Sequence, residues 1–147
     1  MTAYNREKFI GEAIESVISQ TYKNIELIIL DDCSNDNTVK IIEKFKILDD
    51  RVFLHINDVN LGDYPNRNKA ASYSTGKYIK YLDSDDIMYP HCLEVMVTAM
   101  ERFPEAGFGL SSTGDRNHPY PIVIRPHAAY LEHFHRFGHF DRAPGSS

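Results

Sequence analysis

The sequence is poor in cysteine, has no tryptophan and contains no long hydrophobic run. Its 147 residues include only Cys33 and Cys92, which lie in separate segments. Two such cysteines form neither a disulfide framework nor a zinc-binding spacing, so we expect a reducing, cytoplasmic environment. No apolar run approaches the roughly 20 residues that cross a bilayer, and the N-terminal residues do not have the pattern of a signal peptide.

Positive charge is also scarce. The chain has 16 Lys and Arg residues against 21 Asp and Glu residues, for a formal net charge of -5. This balance argues against a general binder of nucleic acid or of anionic membranes, and we expect no nucleic-acid partner. The rest of the composition, 42% hydrophobic and 25% charged, is that of a globular protein of one ordinary domain.

Helical and strand-like patterns alternate along the first three quarters of the chain. Asn5 is a candidate helix cap, and helical patterns occupy residues 6–20, 39–45, 66–75 and 90–103. Strand patterns occupy residues 25–31, 51–57, 77–83 and 107–112. This alternation predicts an α/β fold with a mostly parallel sheet covered by helices on both faces.

Acidic residues cluster where two of the predicted strands end. Asp31 and Asp32 follow one strand, and Asp83, Asp85 and Asp86 follow another. Parallel strands end at the same edge of a sheet, which is where α/β proteins bind ligands. Clustered carboxylates suit Mg²⁺ or Mn²⁺, although acidic turns that hold no ion are common.

Several other residues have a functional and a structural interpretation. Arg67 is a candidate contact for an anion or a base, and the alternative is a solvated helix face. Cys33 could be reactive, but nothing near it in sequence indicates activation, so we favour an inert residue. His135 and His139 have the i, i+4 spacing that could share a metal, yet surface or packing roles are favoured.

Three ordered stretches together resemble the family 2 glycosyltransferases of the GT-A fold. They are "MTAYN", "AIESVISQTYKNIELIILDDCSNDNT" and "NLGDYPNRNKAASYSTGKYIKYLDSDD". The resemblance covers most of residues 2–90 and continues more loosely to Ser147. It implies the Rossmann-like nucleotide-binding half of that fold.

The resemblance also implies an activity. Such enzymes transfer a sugar with inversion from a nucleotide-diphosphate donor, usually UDP-linked, to a hydroxyl acceptor. Saccharides and lipid-linked carriers are the acceptors in polysaccharide and glycoconjugate synthesis, at the inner membrane face in some cases. Carried over by position, the uracil pocket is lined by Thr2, Tyr4 and Asp32. Arg67 reaches the base or the donor edge, Asp83 lies near the ribose, and Asp85 binds Mn²⁺ or Mg²⁺.

The chain departs from the family pattern at both ends. The first strand of the family is expected to be missing, and no residue matches the downstream catalytic base. We therefore expect residues 1–147 to form one incomplete nucleotide-sugar-binding domain, with 113–147 as the start of the acceptor-side segment. The expected behaviour is donor binding without efficient transfer, and self-association, strand exchange or a rearranged sheet to compensate for the missing strand. Cys33 stands where the family has glycine.

Three other functions are compatible with parts of the pattern. A receiver-type phosphoacceptor domain shares the acid pair, but it needs a lysine closing a later strand, and no lysine follows Lys80. A haloacid-dehalogenase-like phosphatase would use Asp83 as nucleophile, but such a motif normally lies near the N-terminus. A non-catalytic fragment would retain the fold and bind nothing.

Overall fold

The computed structural model describes residues 1–109, which form three strands and four helices. The strands are β1 (Thr2–Ala3), β2 (Leu27–Asp31) and β3 (Val52–Ile56). The helices are α1 (Ile10–Ile18), α2 (Thr38–Leu48), α3 (Asp63–Ser72) and α4 (Cys92–Arg102). The chain divides into two units after Thr98. Over the described part of the chain, no helix combines the length and the apolar character needed to cross a membrane.

The three strands form one parallel sheet in the order β1-β2-β3. All five residues of β2 are buried, as expected for a continuous apolar strand that is covered on both faces. Its register runs from Leu27 opposite Val52 to Asp31 opposite Ile56. The predicted α/β fold with a parallel sheet is confirmed.

Side chains of β2 alternate between two packed layers. Leu27 and Ile29 join the hydrophobic core that α1 and α2 supply, where Ile10, Ile14 and Ile42 are fully buried. Ile28 and Leu30 point to the opposite face because strand side chains alternate. Helix α3 packs against β1 and β2. Helices therefore cover both faces, and the carboxyl ends of the strands meet at one edge.

The strand predicted at residues 77–83 does not form. Only Asp83 makes a parallel bridge, to Thr2. The physical reason is the length of β1, which extends over two residues and offers a neighbouring backbone to Asp83 alone. The strand predicted at residues 107–112 lies mostly outside the described residues, and 107–109 contain no strand.

Two helix starts differ from the prediction by three residues or more. Helix α1 begins at Ile10 rather than residue 6, and Asn5 is not its cap. Asn5 instead has a left-handed φ of 51° and bonds to the turn after β2, through Ser34 and Asn35. Helix α3 begins three residues earlier than predicted, since Asp63 follows a glycine with a φ of 82°.

Candidate functional site

A cavity of about 450 Å³ opens at the carboxyl edge of the sheet. It is bordered by the end of β1, the turn after β2, the start of α3 and the turn at Asp83. The structure brings together here all the residues for which the sequence predicted binding roles: Thr2, Tyr4, Asp32, Arg67, Asp83 and Asp85. Residues up to 83 positions apart in sequence thus share one concave surface, which is the usual form of a small-molecule site.

The turn after β2 fixes the first acid pair. Asp31 is fully buried and accepts hydrogen bonds from the backbone N–H of Ser34, at 2.8 Å, and from its hydroxyl, at 2.5 Å. This closes the turn over Cys33, which has a left-handed φ of 65°. Because Asp31 serves the turn, the cavity receives only Asp32 of this pair.

Replacing Cys33 with glycine should stabilise the protein. A side chain in the left-handed region costs roughly 1 kcal/mol, whereas glycine adopts this φ freely. We expect Cys33→Gly to raise the free energy of unfolding by about 0.5 kcal/mol, measured by urea denaturation, because the flexibility of glycine in the unfolded chain offsets part of the gain. Cys33→Ala is the matched control, since it removes the thiol and keeps the strain. An equal gain in both variants would show that the thiol, rather than the backbone, is unfavourable.

Asp32 holds the loop between β3 and α3. Its Oδ1 accepts the backbone N–H of Leu61 at 2.8 Å, and its Oδ2 accepts that of Gly62 at 2.9 Å. Asn57 donates a third hydrogen bond, from Nδ2 to Oδ1 at 2.8 Å. The carboxylate is 3% exposed and is therefore rigidly oriented at the cavity wall.

Arg67 bridges two acids that lie on different segments. Its Nε donates to Asp63 Oδ1 at 2.6 Å, and its Nη2 donates to Asp83 Oδ1 at 2.6 Å. The hydrogen bond with Asp63, and then that with Asp83, raise the pKa of Arg67 above its usual value. The guanidinium thus joins α3 to the turn at Asp83 and neutralises part of the acid cluster.

Asp85 has the loosest partner of these acids. Arg6 Nε lies 3.5 Å from Asp85 Oδ2, and the two side chains are 42% and 47% exposed. An exposed pair at this separation contributes little free energy. The Asp85 carboxylate is accordingly available to another cation at little cost.

The donor set around Asp85 fits a divalent cation that is shared with a ligand. Within residues 1–109, no three His, Cys, Asp or Glu side chains converge as a metal site. Mg²⁺ needs no such cage, because it is bound through one or two carboxylates together with water and substrate phosphate. Among the ion-paired carboxylates of the cavity, Asp85 has the longest pair, at 3.5 Å against 2.6 Å for Asp63 and Asp83, and so exchanges its partner for a cation most readily.

Helix α1 anchors the segment that follows the acid cluster. Gln20 is fully buried, donates to Tyr89 O at 2.8 Å and accepts from Leu93 N at 3.1 Å. Ser16 Oγ accepts from Met88 N at 3.1 Å. The "SVISQT" stretch of the sequence therefore serves to fix residues 88–93, just beyond Asp85.

Sequence reasoning did not find every residue that lines the cavity. It missed Arg6, Asn60, Gly62, Asp63, Asn66 and Ser84. Ligands bind beyond the carboxyl ends of parallel strands, and this holds for the residues after β1 and β3 as well as for the two acid clusters. Arg6, Asn60 and Gly62 follow these two strands, so their position along the chain is the signal that points to them. His135 and His139, like the whole acceptor-side segment at 113–147, lie outside the described residues.

Comparison with known sequences identifies the family. The family described as glycosyl transferase family 2 matches residues 1–144. The Escherichia coli enzyme WfgD, a UDP-Glc:alpha-D-GlcNAc-diphosphoundecaprenol beta-1,3-glucosyltransferase, is 42% identical over 103 residues. These residues are 68% of this chain and 39% of WfgD. An uncharacterized Haemophilus influenzae glycosyltransferase also matches, and the matched residues are 31% of its length. The chain thus spans less than half the length of these two relatives.

Solved structures share the fold. S. aureus TarS 1-349 in complex with UDP-GlcNAc matches with a TM-score of 0.66 and 25% identity, over 76% of this chain and 36% of that one. The mannosyltransferase PcManGT from Pyrobaculum calidifontis, in complex with GDP-Man and Mn2+, matches with a TM-score of 0.60 and 20% identity, over 68% and 30%.

These findings set aside the receiver-type and phosphatase interpretations of the acid clusters. The family match covers nearly the whole chain, and the parallel sheet with its cavity has the architecture of GT-A glycosyltransferases. The chain belongs to glycosyl transferase family 2.

Proposed function

We propose that this chain binds a nucleotide-diphosphate sugar, UDP-linked, as the donor in a metal-dependent, inverting transfer to a hydroxyl acceptor. The observation that carries the proposal is the single cavity that collects Thr2, Tyr4, Asp32, Arg67, Asp83 and Asp85 at the carboxyl edge of the sheet. The similarity to TarS, whose structure was solved with UDP-GlcNAc, supports a UDP-linked donor.

The proposed role of each residue depends on its position around the cavity. The uracil base lies by Thr2, Tyr4 and Asp32, where Tyr4 offers an aromatic ring that is 42% exposed and Asp32 a hydrogen-bond acceptor. Asp83 accepts a ribose hydroxyl, and Arg67 holds Asp83 in place while facing the base or the donor edge. The nucleotide is thus oriented with its diphosphate toward Asp85.

The charge of the cavity supports a cation at Asp85. Its lining carries four carboxylates and two guanidiniums, a formal charge of -2: Asp32, Asp63, Asp83, Asp85, Arg6 and Arg67. A diphosphate is repelled by such a surface. A Mn²⁺ or Mg²⁺ ion held by Asp85 would supply the opposite charge and would stabilise the departing nucleotide diphosphate. Asp85 holds the ion, and Arg6, once it leaves Asp85, lies within the same cavity as the phosphates.

The acceptor side of the proposal rests on the relatives. WfgD is named for a diphosphoundecaprenol-linked acceptor, which supports a saccharide or lipid-linked acceptor for this chain and a place at the inner membrane face. Both cysteines of the described residues are free, in keeping with a cytoplasmic location. The catalytic base is not assigned, and residues 113–147 are proposed to begin the acceptor-binding segment. We retain self-association as an expectation that light scattering can test.

Calorimetric titration with UDP tests the proposal directly. We expect wild-type protein to bind UDP in the presence of Mn²⁺ and to bind it at least about tenfold more weakly when Mn²⁺ is removed. Asp85→Asn should show the weaker affinity with or without Mn²⁺, since the amide is a poorer ligand for a hard cation.

Asp86→Asn is the matched control for this experiment. Asp86 is an exposed neighbour that does not line the cavity, so its removal changes the local charge equally and spares the site. Loss of affinity in both variants would indicate a general charge effect rather than a ligand at Asp85. Folded wild-type protein that binds no UDP would overturn the proposal and favour a non-catalytic fragment.

A further inference from the structure

A buried polar network lies behind Asp32. It consists of Asp32, Asn57, Asn66 and Lys69, and we call it the Asn57 network. Asp32, Asn57 and Asn66 are each 3% exposed, whereas Lys69 lies on the exposed side of α3. Burying three polar side chains is costly unless their hydrogen bonds are satisfied, and in this network they are.

Asp32 and Lys69 contact opposite ends of the Asn57 amide and fix its orientation. Asn57 Nδ2 donates to Asp32 Oδ1 and to Asn66 Oδ1, both at 2.8 Å. Asn57 Oδ1 accepts from Lys69 Nζ at 2.8 Å. A carboxylate only accepts and an ammonium only donates, so a flipped amide would lose the bonds at both ends. Lys69 therefore reinforces the orientation in which Asn57 donates to Asp32.

Hydrogen bonds within the protein occupy most of the acceptor positions of the Asp32 carboxylate. A carboxylate offers about four acceptor positions. Within the described part of the chain, Oδ1 receives Asn57 and the N–H of Leu61, and Oδ2 receives the N–H of Gly62. One position remains on Oδ2 of a residue that lines the cavity. A ligand group that donates an N–H matches this position, and a ligand group that only accepts is repelled by it.

We propose that Asn57, Asn66 and Lys69 are positioning residues that hold Asp32 so that the site prefers a base with an imide N–H over one with an acceptor at the same place. Uracil carries such a donor at N3, whereas cytosine has an acceptor there. This inference rests on the proposed nucleotide-binding function, and it assigns to three residues the selection of the base. Asn66 supports Asn57 from α3 and is itself held by the carbonyl of Leu30, at 3.3 Å.

The test compares affinities for UDP and CDP, measured by calorimetry with Mn²⁺ present. A buried acceptor that is matched by one ligand and opposed by the other discriminates strongly. We therefore expect wild-type protein to bind CDP at least about thirtyfold more weakly than UDP. Asn57→Ala and Asn66→Ala release the carboxylate, and the ratio should fall at least about fivefold in each.

Lys69 provides a variant at an exposed position, which leaves the buried side chains of the network in place. Lys69→Met removes the donor that orients Asn57, and the ratio should fall about threefold, whereas Lys69→Arg keeps a donor and should restore it. A purely structural role would lower the melting temperature and leave the ratio unchanged at a temperature well below melting. This exposed position keeps the inference falsifiable if an asparagine variant fails to fold.

The outcomes separate this inference from the function on which it rests. Wild-type protein that prefers UDP, with the same preference in the Asn57, Asn66 and Lys69→Met variants, overturns the positioning role alone. Wild-type protein that binds UDP and CDP equally overturns it as well, while nucleotide binding stands. Wild-type protein that binds neither nucleotide overturns the proposed function and this inference with it.

Discussion

Replacing Asn57 with aspartate is expected to lower the free energy of unfolding by at least about 3 kcal/mol at pH 7. The side chains have nearly the same shape, but the substitution exchanges the Nδ2 donor for an oxygen. That oxygen would face Asp32 Oδ1 and Asn66 Oδ1, at positions where Asn57 now donates over 2.8 Å. Two carboxylates would share a site in which Asp32 is 3% exposed, and neighbouring like charges in a buried site are strongly unfavourable.

Urea denaturation followed by circular dichroism measures this loss, and Asn68→Asp is the matched control. Asn68 lies on α3 and is exposed, so its substitution should change stability by no more than about 0.5 kcal/mol. The difference between the variants should shrink as the pH is lowered toward 4, because one proton shared between two carboxyl groups restores a hydrogen bond. Equal stabilities at pH 7 would mean that the two oxygens find room to separate.

Replacing Gln20 with leucine should cost about 3 kcal/mol of stability. Leucine keeps much of the volume of this fully buried side chain but makes none of its hydrogen bonds. The carbonyl of Tyr89 and the N–H of Leu93 would lose their partner, and each such group costs roughly 1–3 kcal/mol when it stays buried. Because residues 88–93 follow the acid cluster, Mn²⁺-dependent UDP affinity should fall together with stability.

Thr21→Val provides the control for Gln20. It removes the hydrogen bond between the Thr21 hydroxyl and Glu94 Oε2, which is exposed, and preserves the backbone bond from Thr21 N to Pro90 O. We expect a change within about 0.5 kcal/mol, measured by thermal unfolding. A Gln20→Leu variant as stable as Thr21→Val would indicate that residues 88–93 do not depend on this anchor.

Patterns of apolar residues predicted the central sheet well. The runs at 25–31 and 51–57 became β2 and β3, because each is rich in apolar residues and the two pair with each other over their whole length. The run at 77–83 has the same local pattern but forms only the bridge at Asp83, since its pairing depends on how far β1 extends. Strand formation is a property of two segments, and periodicity describes only one.

For the site, the sequence predicted residues that take part but not how they pair in space. The carboxyl-edge rule and the family resemblance named six residues that the structure places around one cavity, while their roles remain proposals. The pairings within the cavity were not predicted, among them Arg6 with Asp85 and Arg67 with both Asp63 and Asp83. No spacing in the sequence indicates that Asn57 orients Asp32, since that contact requires β2 and β3 to be adjacent.

The loose pairing of Arg6 with Asp85 has a thermodynamic consequence. Linkage is reciprocal, so the factor by which a cation at Asp85 tightens the nucleotide is the factor by which the nucleotide tightens the cation. Asp85 offers one carboxylate from an exposed ion pair, and Mg²⁺ or Mn²⁺ completes such a site with water and substrate phosphate, so much of the ion's binding free energy would come from phosphate oxygens. On the proposed function, cation and donor would therefore bind cooperatively.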